Sequence, residues 1–336
     1  MNLQPLLARL ADGGFHSGQA LGESLGISRT AVWKQVQALK DQGVEIHAVS
    51  GRGYRIPDGL DLLDLQHIIG GLVGDARSIA ENFQLHLSID STNAEAMRQA
   101  VNGAALALVM AEHQTSGRGR RGRTWVSPFG HNLYMSMVWS FQGGVAALEG
   151  LSLVCGLAVV RALQRQGYTG FELKWPNDVL HEGRKLAGIL LEVTGDLTGA
   201  CRVVIGIGIN TRLPAAAGKA IDQPYSELDV IGERRVDRNA LAASLVNELF
   251  ACLTVFSARG FKVFREEWVA LDRYHGAEVE IHAGHQIMTG RAVGVDELGR
   301  LQLEAGGRTV TVTGGELMPS LRPLGSSFAG PGGVTG

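Results

Sequence analysis

A chain of 336 residues is long enough for two or three domains, and a hydrophobic content of 45% lets each bury a core. The net charge of −2 excludes a polycation, so any contact with nucleic acid has to come from a local patch. Cys155, Cys201 and Cys252 are too few and too scattered for a disulfide framework or a zinc site, and they read as buried thiols of a reducing cytoplasm. The N-terminus lacks the basic and apolar regions of a signal peptide, and the most apolar run, Leu151 to Val160, is too short to span a bilayer. No membrane partner is expected.

Residues 1–57 read as a small separate domain. Leu3, Leu6, Leu7 and Leu10 recur at helical spacing before Gly13-Gly14. Ser17 caps a second helix that Gly26 ends, and Ser28 caps a third from Arg29 to Asp41. Val32, Val36 and Leu39 form the apolar face of that third helix. Its other face offers Arg29, Thr30, Trp33, Lys34 and Gln37. Two helices joined by a short glycine turn, followed by a hairpin whose tip carries Arg52, predict a winged helix-turn-helix. Six Lys/Arg stand here against four Asp/Glu, and the basic residues gather on the third helix and the hairpin, which favours DNA over a protein partner. Pro57-Asp58-Gly59 is the expected boundary, and residues 1–57 are expected to be separable without much loss elsewhere.

The rest predicts an α/β (α+β) protein. A short helix falls within 60–73, a strand over Phe83 to Ile89, and a helix near Ala94 whose cap residues are Asp90, Ser91, Thr92 and Asn93. Strands follow at Leu106 to Met110 and Asn132 to Trp139, then a long apolar helix over about Val145 to Arg165. A hairpin spans Val179 to Val193, a buried strand Arg202 to Asn210, a loop Thr211 to Gly232, and a second long helix Arg238 to Ser257. Short strands between His275 and Leu321 suggest a small all-β barrel. The Gly/Ser-rich residues 325–336 are expected to be disordered.

The stretch Gly117-Arg-Gly-Arg-Arg-Gly-Arg123 places four arginines among three glycines. Glycine lets backbone approach a ligand closely, and arginine presents a fork suited to carboxylate and phosphate. A basic surface loop is the plainer alternative. Gly117, Gly119 and Gly122 also satisfy G-x-G-x-x-G, but Thr124 to Gly130 reads as a loop and no helix N-terminus follows, so a dinucleotide site is excluded. A Walker A motif is absent.

Four ordered motifs resemble those of the biotin protein ligases: Gly117 to Arg123, Lys174-Trp-Pro-Asn-Asp178, Arg184-Lys-Leu-Ala-Gly-Ile-Leu190 and Gly206-Ile-Gly-Ile-Asn210. With a winged helix in front, the chain is similar to the bifunctional ligase and repressor form from about residue 5 to 323. The resemblance implies a winged-helix domain at 1–57, a mixed-sheet biotin/lipoate-ligase-like catalytic domain at 60–268 and an SH3-like barrel at 270–323. It implies ATP, Mg²⁺ and biotin, a biotin carboxyl carrier protein as acceptor, operator DNA, and a homodimer when the adenylate is bound.

It further implies roles for residues. Lys185 stands as the cation between biotin carboxylate and α-phosphate, with Arg120 and Asp178 beside it in the chemistry. Asp178 is the candidate magnesium ligand. Ser91, Thr92, Asn93 and Gln114 suit a ureido ring, and Gly188 and Gly206 leave room for the bicycle. Arg118, Gly119, Arg120 and Lys185 face biotin. Arg118, Arg120, Arg121, Arg123, Asn177, Lys185 and Asn210 face ATP or the adenylate. Trp125 packs on a ligand or belongs to the core. A lipoate or octanoate ligase of similar fold and a non-catalytic DNA-binding sensor are the alternatives.

Overall fold

The computed structural model describes residues 3–196, 198–283, 286–313 and 320–323. The expected tail at 325–336 lies outside them. Three helices open the chain: α1 (Gln4–Leu10), α2 (Gly18–Leu25) and α3 (Arg29–Asp41). Ser17 and Ser28 cap α2 and α3 by accepting from the amides of Ala20 and Ala31, and Gly26 stops α2 in the left-handed region. Leu6, Leu7, Leu10, Val32, Val36 and Leu39 are fully buried between them. The antiparallel wing, β1 (His47–Val49) and β2 (Gly53–Arg55), completes the motif.

The central sheet is mixed. It contains β3 (Phe83–His86), β4 (Leu106–Ala111), β5 (Leu133–Phe141), β6 (Phe171–Lys174), β7 (Asp178–His181), β8 (Arg184–Gly195) and β9 (Cys201–Ile209). Their order is β3-β4-β5-β9-β8-β7-β6, with β3 parallel to β4 and every other neighbour antiparallel. The preceding α4 (Leu65–Gly70) packs on the long helix α9 (Arg238–Arg259). One face of the sheet carries α5 (Thr92–Val101), whose Ala96 and Ala100 pack on Ala107, Val109, Val138 and Val204. These short side chains bring the helix close to the strands. The other face carries α6 (Leu151–Arg165) and α9 over the large core. By length and composition, residues 145–165 and 238–259 could cross a bilayer, but more than half of each window is buried inside the protein.

Several boundaries differ from expectation. The apolar helix is broken: Val145–Leu148 is a 3-10 turn, and Gly150 turns the chain at φ +80° before α6 starts. The strand expected over Phe83 to Ile89 ends at His86. The expected loop at 211–232 holds two one-turn helices, α7 (Ala215–Gly218) and α8 (Leu228–Ile231). After α10 (Arg265–Ala270), the strands β10 (Glu278–Ala283), β11 (Gln286–Val295), β12 (Leu301–Ala305), β13 (Arg308–Val312) and β14 (Ser320–Pro323) form an antiparallel sheet in the order β13-β12-β11-β10-β14. Among the described residues its edges β13 and β14 are not paired to each other.

The winged helix is not a free appendage. Phe129, from the loop before β5, is buried in the N-terminal core, and Leu60, Leu62 and Leu87 pack against the same cluster. Asp58 is held by Arg212 at 3.0 Å, and its carbonyl accepts from Arg235 at 2.8 Å. The Asp58 contacts lie beyond residue 57, so the packing of Phe129 is what bears on the expected separability of residues 1–57. Burying one phenylalanine contributes about 2 kcal/mol. Deleting residues 1–57 is therefore expected to lower the melting temperature of the catalytic part and to slow biotin transfer as well as abolish DNA binding. Unchanged melting and transfer would show the contact to be dispensable.

Candidate active site

One cavity of about 720 Å³ opens at the ends of β7, β8 and β9, under the arginine loop. Its wall includes Ser91, Thr92, Asn93, Gln114, Arg118, Gly119, Arg120, Arg121, Arg123, Asn177, Asp178, Lys185, Gly188, Gly206 and Asn210. All the residues assigned to biotin or nucleotide from the sequence thus share one concavity, although they come from six separate segments.

The geometry of Lys185 depends on a bulge. Val179 pairs with Ala187 and Leu180 with Lys185, which leaves Leu186 as an extra residue in β8. In a regular strand Lys185 and Gly188, three apart, would face opposite sides. The extra residue puts them on one face, and Lys185 Cε lies 3.2 Å from where a Cβ on Gly188 would stand. Lys185 Nζ is 2.8 Å from Asp178 Oδ1, and both side chains are largely buried. The ammonium also lies 5.6 Å from the centre of the Trp125 ring. The segment Pro224 to Ser226 pairs with Lys185, whose amide donates to Pro224 O and whose carbonyl accepts from Ser226.

Trp125 lines the cavity instead of joining the core. Gly188 and Gly208 face each other across β8 and β9. A Cβ on Gly208 would come within 2.5 Å of the Trp125 ring. The two glycines make a flat floor for the indole. At Gly206 the space is filled by Asn93, whose Oδ1 would lie 2.0 Å from an added Cβ. The space beside Gly188 and Gly206 is thus shared with the protein's own side chains, while both glycines also line the cavity.

Ser91, expected as a cap, makes no side-chain cap bond to α5. Thr92 instead donates its amide to Gln114 Oε1 at 2.9 Å, and Gln114 Nε2 donates to Ser127. These groups are oriented by one another ahead of any ligand.

The arginine loop closes on itself. Gly119 N donates to Arg123 O, and Arg120–Gly122 form a 3-10 turn with Arg121 at φ +58°. Arg120 donates to Asn177 Oδ1. Burial pushes its guanidinium down to about 10, partly offset by Asp178. It therefore remains a cation at neutral pH. Arg118 pairs with Glu192 at 3.2 Å, and Arg121 donates to His282 O in β10. Arg123 is exposed at the rim. Asn210, on the cavity wall, has its Nδ2 3.4 Å from Lys185 O.

The sequence is similar to known proteins throughout. The Biotin/lipoate A/B protein ligase family matches residues 87–210, an HTH domain residues 2–55, and the Biotin protein ligase C terminal domain residues 274–317. The Bifunctional ligase/repressor BirA of Escherichia coli is 40% identical over 312 residues, covering 93% of this chain and 95% of that protein. The chain belongs to the biotin protein ligase family. The Bacillus subtilis BirA is 30% identical, over 86% of this chain and 89% of its own. The solved Aquifex aeolicus biotin protein ligase, in complex with biotin and ATP, is 30% identical with a TM-score of 0.61, covering 72% of this chain and 99% of that one.

In this ligase the helix face read as DNA-binding is open. Arg29, Thr30, Trp33, Lys34 and Arg52 are exposed, and Gln37 is half-buried. Trp33 leaves 52% of its surface in solvent although it is a large aromatic, so folding alone does not account for it. Arg52 lies 4.0 Å over the Phe15 ring, which steadies the wing tip. Sequence reading missed the Leu186 bulge, the indole floor and Tyr225, which lines the cavity beside Lys185.

Proposed function

We propose that the protein is an ATP-dependent ligase that activates biotin as biotinyl-5′-AMP, transfers it to a lysine of the biotin carboxyl carrier protein, and represses biotin-synthesis genes with the adenylate as corepressor. The observation that carries this is the buried Lys185–Asp178 pair beneath four arginines. Two anions, a carboxylate and a triphosphate, must meet, and fixed cations in a dry site lower that barrier. Lys185 and Arg120 take the charge of the carboxylate and α-phosphate as the carboxylate oxygen attacks phosphorus and pyrophosphate leaves. Ser91, Thr92, Asn93, Gln114, Arg118 and Gly119 hold the bicycle and its chain. Arg121, Arg123, Asn177 and Asn210 hold the nucleotide. The acceptor amine then attacks the acyl carbon and AMP departs, with Asp178 placed to take the amine's proton.

The oxygen donors Asp178 and Asn210 fit a hard cation, and a single carboxylate with substrate phosphates is the usual magnesium mode. Bound there, Mg²⁺ would offset phosphate charge. The ligase works in the cytoplasm, where ATP and the carrier protein are found. Pyrophosphate release with ATP, Mg²⁺ and either biotin, lipoate or octanoate tests the activity. Release with biotin alone is expected; release with lipoate or octanoate instead would assign the other ligase class.

Arg120→Gly is expected to loosen the Asn177 contact and let the reactive anhydride escape. Mass spectrometry should find biotin on lysines of bystander proteins; labelling confined to the acceptor lysine would contradict this.

A winged helix alone makes few phosphate contacts, so a pair on a palindromic site is the economical arrangement. The adenylate promotes that homodimer by binding the dimer-competent state better. At one fixed salt concentration, operator affinity is expected to rise with biotinyl-AMP, and Trp33→Ala or Lys34→Ala to weaken DNA binding while leaving biotin transfer intact. Equal affinity with and without the adenylate would show the two activities to be uncoupled.

A further inference from the structure

Tyr274 lines the cavity but has no part in the roles given above. It lies in the segment between α10 and β10. Leu173 N donates to Leu271 O at 2.7 Å and Arg273 N to Leu173 O at 2.9 Å, with Asp272 bridged to Leu173 in parallel. The segment thus extends the central sheet beyond β6. Tyr274 follows directly, its amide donating to Asp272 Oδ1 at 3.1 Å. Its ring packs against the main core, and its hydroxyl makes no hydrogen bond among the described residues. Burial pushes the phenol up, opposed by Arg273 and aided by Glu172, Asp178 and Asp272, so it holds its proton at neutral pH.

The order of the sheet gives the cavity a direction. In the ligase reading, Gly206 on β9 and Asn93 on α5 mark the biotin end. Lys185 on β8 and Asp178 on β7 come next. Lys174 on β6 pairs directly with Asp178, so the two side chains share one face, and both residues line the cavity. Tyr274 stands beyond them, at the same end of β6. An in-line displacement needs the attacking and leaving oxygens on opposite sides of phosphorus. A carboxylate that arrives at Lys185 from the β9 side therefore sends pyrophosphate out over β7 and β6, towards Tyr274.

We propose that the Tyr274 hydroxyl is a catalytic donor to the departing pyrophosphate, supplied by the segment that joins the catalytic domain to the C-terminal sheet. This rests on the ligase reading above. As the biotin carboxylate oxygen bonds to the α-phosphorus, the bond from phosphorus to the bridging oxygen breaks, and its electron pair stays with pyrophosphate. Tyr274 donates a hydrogen bond to that growing charge and keeps its own proton. The transfer to the acceptor lysine involves no pyrophosphate, so Tyr274 takes no part in it.

Tyr274→Phe removes the hydroxyl and keeps the ring. In the full-length variant, biotin-dependent pyrophosphate release is expected to slow about tenfold to a hundredfold, the usual effect of losing a hydrogen bond to a charged group. The pyrophosphate KM of the reverse reaction, ATP formation from biotinyl-AMP, should rise. Biotin affinity by calorimetry, and transfer from preformed biotinyl-AMP to the carrier domain, should match wild type. Tyr274→Leu should slow pyrophosphate release to a similar extent. A wild-type release rate in Tyr274→Phe would overturn the proposal, and with a loss in Tyr274→Leu it would assign the ring instead of the hydroxyl. Equal slowing of both half-reactions would also overturn it, because a structural role alone gives that result. A wild-type protein that releases no pyrophosphate with biotin would instead count against the ligase reading itself.

Discussion

Lys185→Ala is expected to slow biotinyl-adenylate formation by about a hundredfold to a thousandfold. The ammonium sits 2.8 Å from Asp178 in a largely buried pocket, aimed by the extra residue at Leu186 and backed by the Trp125 ring. Removing it leaves an anionic nucleophile to approach an anionic phosphate with one fixed cation fewer. It also leaves Asp178 facing the substrate carboxylate without its partner. Arg120 still faces Asp178 and remains cationic at neutral pH, so some activity should persist. Biotin-dependent pyrophosphate release measures the effect, and a near-normal rate would remove Lys185 from the chemistry. Deleting Leu186 should mimic the loss, because the shortened strand would turn Lys185 to the opposite face.

The largest stability effect is expected far from this chemistry. Arg238 and Glu112 form an ion pair at 2.7 Å with almost no exposure. Glu112 also accepts from the amide of Leu63, and Arg238 donates to Asp61 O at 2.6 Å. The pair thus stitches the segment leaving the winged helix to the end of β4 and the start of α9. Removing one partner of such a pair strands a buried charge and typically costs about 3–5 kcal/mol. Arg238→Ala should therefore shift denaturant unfolding by that amount, and a loss below about 1 kcal/mol would contradict the assignment. Replacing both residues by apolar ones of similar volume should recover much of the loss, because neither charge is then left alone.

The elements that sequence reading placed well carry their signal locally. Ser17, Ser28 and Gly26 bound their helices by short-range capping. The arginine loop and Lys185 stood out because packed cores do not select such strings. What was missed depends on partners distant in sequence. Glu112 and Arg238 are 126 residues apart, and Asn93 and Glu192 are 99 apart. Nothing near Glu112 distinguishes it from a solvated carboxylate. Gly188 and Gly206 show a related limit. A glycine announces that something comes close, but only the fold says that it is Asn93 or Trp125. The same limit hid the break at Gly150, where apolar periodicity continues across a turn made against Phe261.

The most direct measurement is the intact mass of a biotin carboxyl carrier domain after incubation with the protein, ATP, Mg²⁺ and biotin. Addition of one biotinyl group to one lysine is expected, dependent on ATP and greatly reduced with Lys185→Ala. An unmodified carrier domain after incubation with folded wild-type protein would contradict the ligase assignment.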